Sequence, residues 1–273
     1  MDIIKLNNGI TVPIIGYGTY LISKQDTKNL VLKALNVGYR HIDTAQYYGN
    51  EHEVGLAVKE SNIDREKIFI TSKTQTSGYE STKRGIEKSL DEFGLDYIDL
   101  MLIHWPNEDN LGTYKALEEA YKEGKLKAIG LSNFNELEVK EIMNHFETKP
   151  VLDQIETHIF WQQKRMHKFL EENNIYHESW SPFGEGVDNI FNNKILINIG
   201  NKYNKTVAQV ILKFLIQNNI MVIPKTTHEN RMQENLDIFD FQLKEEDMNT
   251  IYNLDEKRSL FSWANSMKIE SEY

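Results

Sequence analysis

Asp43 closes a short apolar run that includes Tyr39 and Ile42, and Tyr48 follows five residues later, just ahead of the turn residues Gly49-Asn50. Lys73 and His104 stand in the same relation to two further runs, Ile68 to Ser72 and Ile98 to Ile103. A carboxylate, a phenol, an ammonium and an imidazole gathered in one place suit proton donation. Tyrosine titrates near pH ~10 and is too weak an acid at neutral pH, but an adjacent ammonium stabilises the phenolate and lowers that value. On this reading Lys73 tunes Tyr48, Asp43 keeps Lys73 charged and oriented, and His104 donates a hydrogen bond to the oxygen being protonated. The result is an acid aimed at a carbonyl. Taken singly each residue is more ordinary, since a lone Lys or Asp at a strand end is usually solvated.

The four groups meet only if their strand ends share a rim. Eight short apolar runs recur along the chain: Ile14 to Gly18, Tyr39 to Asp43, Ile68 to Lys73, Ile98 to His104, Lys127 to Ser132, Leu152 to Glu156, Ile175 to Trp180 and Met221 to Lys225. Helical patterns separate them, such as Thr27 to Val37, Ser81 to Phe93 and Thr206 to Leu215, with apolar residues at i, i+3 and i+4. Nearly continuous apolar strands alternating with helices imply a parallel sheet buried on both faces. Eight such units favour an α/β fold, a closed (β/α)8 barrel, whose strand ends would bring together Asp43, Tyr48, Lys73, His104, Ser132, Asn133, Gln154, Trp180, Ser181 and Lys225. Ile3 to Leu6 and Ile10 to Val12 flank Asn7-Asn8-Gly9 and read as a hairpin ahead of the barrel. An open doubly wound sheet is disfavoured, because Gly16-Tyr17-Gly18-Thr19-Tyr20-Leu21 lacks the third glycine of the dinucleotide fingerprint. No Pro/Gly/Ser linker or charge block divides the chain, so residues 1–273 are read as a single domain.

Composition narrows the chemistry further. The chain has no cysteine, which removes thiolate catalysis, disulfides and Cys-ligated zinc. A net charge of -10 argues against nonspecific binding to nucleic acid or anionic membranes, so an anionic ligand must be held by a few local cations, of which Lys225 and Arg231 are candidates. The N-terminus lacks a basic segment followed by an apolar core, and no apolar run reaches membrane-spanning length, so a cytoplasmic protein is expected.

The motifs carrying these residues are long and ordered. Gly38-Tyr39-Arg40-His41-Ile42-Asp43-Thr44-Ala45 with Tyr48-Gly49-Asn50-Glu51, then Leu102-Ile103-His104-Trp105-Pro106, Gly130-Leu131-Ser132-Asn133-Phe134, Gln154-Ile155-Glu156 and Ile223-Pro224-Lys225 together resemble the aldo-keto reductase family almost end to end. The resemblance implies NADPH-dependent reduction of aldehydes or ketones, with a nicotinamide supplying hydride, Tyr48 as general acid, Lys73 and Asp43 as its tuners and His104 orienting the carbonyl. It also implies that Ser132, Asn133 and Gln154 bind the carboxamide and that Trp180, where many members carry Tyr, stacks on the nicotinamide. Gly18, Thr19 and Asp43, with Ser181 and Phe183 of the loop after the seventh strand, join the cofactor set. Lys225, Thr226 and Thr227, with Arg231, Glu234 and Asn235, fall in the 2'-phosphate and adenine segment, with Thr226 where Ser is common and Lys225 and Arg231 as the cations for the phosphate. Tyr20, Tyr47, Tyr48, His104, Trp105 and the segment around Leu260-Phe261-Ser262-Trp263 would wall the pocket of a small-molecule carbonyl substrate. Tyr20 and Gln75 stand where Trp is frequent, which implies a roomier, more polar mouth. A monomer without metal is expected.

Three rival readings use other residues. A metal-dependent barrel hydrolase would draw on His41, Asp43, His104 and His158, although Lys73 would sit beside the metal uncompensated. A glycosidase would need Glu51 and Glu156 across a groove. A nucleotide-binding regulatory subunit of the same fold has no need of the four proton-donating residues, which are intact here.

Overall fold

The computed structural model describes residues 2–261. A hairpin of β1 (Ile3–Lys5) and β2 (Thr11–Pro13) opens the chain, turning at Gly9, whose φ of 90 suits a residue without a Cβ. Asn7 donates to the carbonyls of Pro150 and Asn174, and Asn8 to that of Lys127, so the hairpin plugs the end of the barrel where strands begin.

Eight parallel strands follow in one sheet in chain order: β3 (Tyr17–Gly18), β4 (His41–Asp43), β5 (Phe69–Thr74), β6 (Leu100–Ile103), β7 (Ile129–Ser132), β8 (Leu152–Glu156), β9 (Tyr176–Trp180) and β10 (Met221–Val222). Its two edges meet. Ile15 bridges Val222 in parallel, and the amides of Gly16 and Gly18 donate to the carbonyls of Val222 and Pro224, which closes the barrel. Close approaches at and beside this seam explain the two glycines. A Cβ on Gly18 would lie 2.8 Å from the Ile223 carbonyl oxygen, and one on Gly16 would lie 2.6 Å from the His41 ring.

The strands from β4 to β8 are buried throughout because helices cover their outer faces while side chains fill the interior. The sheath comprises α1 (Lys24–Val37), α2 (Glu51–Glu60), α3 (Tyr79–Phe93), α4 (Asn110–Lys122), α5 (Glu136–His145), α6 (Lys164–Glu172), α7 (Lys194–Tyr203), α8 (Val207–Gln217), α9 (Glu229–Leu236) and α10 (Glu245–Tyr252). Their ends follow local chemistry. Thr206 and Gln209 form a reciprocal capping box at the start of α8, and left-handed Gly94 stops α3 by donating to the carbonyls of Leu90 and Asp91. No helix among the described residues is long and apolar enough to cross a membrane.

Candidate active site

The strand ends converge as the sequence spacing requires. Asp43 ends β4, and the chain then makes a single turn of 3-10 helix over Gln46–Tyr48, closed by Gly49 at a φ of 66. Gln46 pins that turn to its neighbours: its amide nitrogen donates to Gly85 O and Ser89 Oγ, and its oxygen accepts from Gln75 N. Tyr48 is thereby aimed at Lys73.

Lys73 is 1% exposed, and its Nζ donates to Asp43 Oδ1 at 2.6 Å, Thr44 O at 3.0 Å and Tyr48 Oη at 3.4 Å. Three donors thus meet three acceptors, as a buried ammonium requires. Burial opposes the charge on Lys73, but Asp43 and Tyr48 outweigh it and raise its affinity for the proton. For Tyr48 the balance goes the other way: burial pushes the phenol up to about 12 against the pull of Lys73. Lys73 does pull Tyr48 down as the sequence implies, but desolvation of the phenolate exceeds the attraction of the single cation and the net shift is upward. His104 is buried, and burial together with Lys73 holds it well below the ordinary histidine value, so its ring is neutral near pH ~7. Its ring lies 5.8 Å from that of Tyr48 and stacks on Trp105 at 4.9 Å.

These groups open onto a cavity of about 720 Å³. Gly18, Tyr20, Asp43, Tyr47, Tyr48, His104 and Trp105 line one part of it, and Tyr20 packs 5.0 Å from the Tyr48 ring. Ser132, Asn133, Gln154 and Trp180 form the facing wall, continued by Ser181 and Phe183. Lys225, Thr226, Arg231, Glu234 and Asn235 line the far end, where Lys225 and Arg231 are exposed and paired with no acid among the described residues. Three expected residues are elsewhere. Thr19 is fully buried with its hydroxyl on the Asp43 carbonyl, Thr227 faces a separate shallow depression beside Asp26 and Lys33, and Gln75 is an exposed residue beyond the end of β5. Lys73 lies behind Tyr48 and Asp43, off the cavity surface.

The wall is held by its own hydrogen bonds. Asn133, left-handed at a φ of 65, donates to His104 O and Ser132 Oγ and accepts from the Trp180 indole at 2.8 Å. Ser132 Oγ donates to Gln154 O, and Gln154 Nε2 donates both to Asp43 Oδ2 at 2.9 Å and to Glu178 Oε2 at 2.8 Å. Glu178 escaped the sequence reading. Its signal was an acid inside a strand that the barrel must bury, two residues before Trp180 and so on the same face.

The carboxylates of the glycosidase reading do not face a groove. Glu51 is buried, accepting from Ser72 and Ser89, while Glu156 accepts from His158, Ser259 and the Leu260 amide. Those last bonds bring Phe261 to 5.5 Å from the Trp180 ring; Ser262, Trp263 and the tail lie outside the described residues. No group of three His, Cys, Asp or Glu among the described residues is arranged to hold a metal ion.

A sequence model of the Aldo/keto reductase family matches residues 14–256. The chain belongs to the aldo/keto reductase family. It is 43% identical over 262 residues to the glyoxal reductase of Bacillus subtilis (strain 168), covering 94% of each protein. To methylglyoxal reductase DkgA of Escherichia coli (strain K12) it is 36% identical, covering 94% of this chain and 95% of that one. Among solved structures, MGS-M4, an aldo-keto reductase from a Medee basin deep-sea metagenome library, superposes with a TM-score of 0.92 at 44% identity over 95% of this chain and 97% of that one. A Bombyx mori aldo-keto reductase in complex with NADP gives 0.91 at 31% identity, over 97% and 96%. This aldo/keto reductase is an oxidoreductase acting on carbonyl groups with NADP(H) as cofactor.

Proposed function

We propose that this aldo/keto reductase reduces small aldehydes and α-oxoaldehydes to alcohols, with Tyr48 donating the proton to the carbonyl oxygen. The observation that carries the proposal is the Tyr48 hydroxyl 3.4 Å from a fully buried Lys73 ammonium, with neutral His104 beside it on the cavity wall. Raised to about 12, Tyr48 stays protonated across the neutral range and is always loaded. When it gives up its proton, the phenolate forms next to Lys73, and that preorganised cation offsets part of the charge developing in a desolvated site. Asp43 keeps Lys73 ionised, and the N–H of a neutral His104 donates to the carbonyl oxygen and aims it at Tyr48.

The cavity residues fit NADPH. Exposed Lys225 and Arg231 on an otherwise acidic protein suit the 2'-phosphate, and Trp180 offers a flat face to the nicotinamide. Gln154, with its Nε2 taken up by two acids, keeps its carbonyl oxygen for a carboxamide N–H. When bound, NADPH supplies the hydride. The relatives named glyoxal and methylglyoxal reductase support a small dicarbonyl substrate, and Tyr20, Tyr47 and Trp105 give it aromatic walls.

Loss of NADPH absorbance should be followed with glyoxal, methylglyoxal, monoaldehydes and ketones. Turnover is expected, fastest with an α-oxoaldehyde. A chain that binds NADPH yet reduces none of them would instead be a nucleotide-binding regulatory subunit.

A further inference from the structure

Behind Gln154 lie two buried polar atoms without hydrogen-bond partners among the described residues, Glu178 Oε1 and His41 Nδ1, 3.9 Å apart and both fully shielded from water. One is an acid and the other a base. His41 Nε2 is engaged with Thr71 Oγ1 at 3.0 Å, so when it donates there its Nδ1 is left as an acceptor. At 3.9 Å the two atoms are too far apart for a hydrogen bond, so a proton on Glu178 Oε1 removes the carboxylate's buried charge without bridging to His41, and Oε2 remains free to accept from Gln154. We propose that Glu178 is a positioning residue: buried beneath the cavity wall, it fixes the Gln154 amide with its oxygen outward, and by gaining or losing a proton there it makes the relative affinity for oxidised and reduced nicotinamide depend on pH.

The charge count supports this. Facing Glu178 are Asp43 and His41 on β4, Lys73 on β5 and neutral Gln154 on β8; β10 contributes only Met221 and Val222, and His167 of α6 pairs with His177 on the other side of β9. Asp43 and Lys73 cancel, so a protonated Glu178 leaves the cluster neutral and an ionised one leaves it with a net negative charge. Burial and Asp43 push Glu178 up to about 8, whereas burial and Lys73 push His41 down to about 3. Tyr48 lies at about 12 and His104 well below its ordinary value, so Glu178 changes charge in a window these neighbours leave clear.

The oxidised nicotinamide ring carries a positive charge and the reduced ring none. Ionised Glu178 therefore favours NADP+, and by linkage NADP+ binding near pH 8 expels the Glu178 proton. This rests on the proposed placement of the nicotinamide against Gln154. The 2'-phosphate is common to both forms and cancels in their ratio.

Protein fluorescence should be titrated with NADP+ and with NADPH at about pH 6.5, 8 and 9.5, for wild type and Glu178→Gln. In wild type, Kd(NADPH)/Kd(NADP+) is expected to rise about tenfold across that range, the effect of one added buried charge beneath the ring, and to stay within about twofold in the variant. Wild type alone supplies a second readout: NADP+ mixed with protein in weakly buffered dye solution near pH ~8 should release protons, and NADPH should not. A flat wild-type ratio without proton release overturns the inference, as does a Glu178→Gln ratio that follows wild type. Binding of neither nucleotide would overturn the cofactor placement itself, and this inference with it; tight binding of both at a constant ratio would overturn this inference alone.

Discussion

Replacing Lys73 with methionine keeps all but the last atom of the side chain's length and deletes one buried charge, so its effects on rate and on stability can be worked separately. For the rate, the deleted cation lies 3.4 Å from the atom that becomes a phenolate, and at an effective dielectric of ~20 that interaction is about 5 kcal/mol, or between three and four decades. We expect Lys73→Met to lower kcat by roughly 10³-fold while changing the Kd for NADPH less than about fivefold, because Lys73 lies off the cavity surface. For stability, the deletion leaves Asp43, 2% exposed, with Gln154 as its remaining side-chain donor. Breaking a buried pair in this way costs about 3–5 kcal/mol unless Asp43 takes up a proton. Protonation in the folded variant means that its deficit is small near pH ~4 and grows as the pH rises, since the unfolded chain then gives up a proton that the folded chain keeps. The double variant Asp43→Asn/Lys73→Met removes both charges and should recover most of the stability but none of the rate. Stopped-flow or steady-state kinetics and thermal melts across pH provide the measurements. A variant within about tenfold of wild type in kcat, or one whose melt is unchanged at high pH, would refute the reasoning.

Two further outcomes test other parts of the structure. Arg231→Ala should weaken NADPH at least about tenfold and NADH less than about threefold, since a charge-assisted contact contributes ~1.5–3 kcal/mol and only NADPH carries the 2'-phosphate; equal losses in a fluorescence titration would remove Arg231 from the phosphate site. Asp153 is fully buried, and burial raises its folded value well above the ordinary one, so the folded chain keeps a proton that the unfolded chain loses above pH ~4, and stability falls as pH rises from there. Asp153→Asn should therefore melt higher than wild type at neutral pH and lose that advantage on acidification; a constant difference across pH would contradict it.

The barrel was legible because its signal is local and repeated: an apolar run, a polar closing residue and a helix, eight times over. Asp43, Tyr48, Lys73 and His104 stood out for the same reason, each a polar group where burial demands a partner. What was not legible depends on contacts across the barrel. Glu178 and Trp180 share a face by strand alternation, yet nothing in the order of residues says that His41, three strands away round the closed barrel, faces Glu178. Gln75 continues the parity of Lys73, but β5 ends at Thr74 and the alternation stops with it. Gly16 and Gly18 looked like a fragment of a nucleotide fingerprint, whereas Gly18 lets the first and last strands touch and Gly16 makes room for the His41 ring. The Tyr48 value also escaped, because the depth of burial that overrides Lys73 is a property of the whole cavity.

The central claim is that Tyr48 supplies the proton, and Tyr48→Phe tests it most directly because the ring stays and only the hydroxyl is lost. With a good α-oxoaldehyde substrate in hand, kcat of the variant and its Kd for NADPH should be measured on the same preparation. With Tyr48 as the donor, kcat falls at least ~10²-fold below wild type while nucleotide affinity stays within about threefold. Turnover above roughly a tenth of wild type would show that the proton comes from another group.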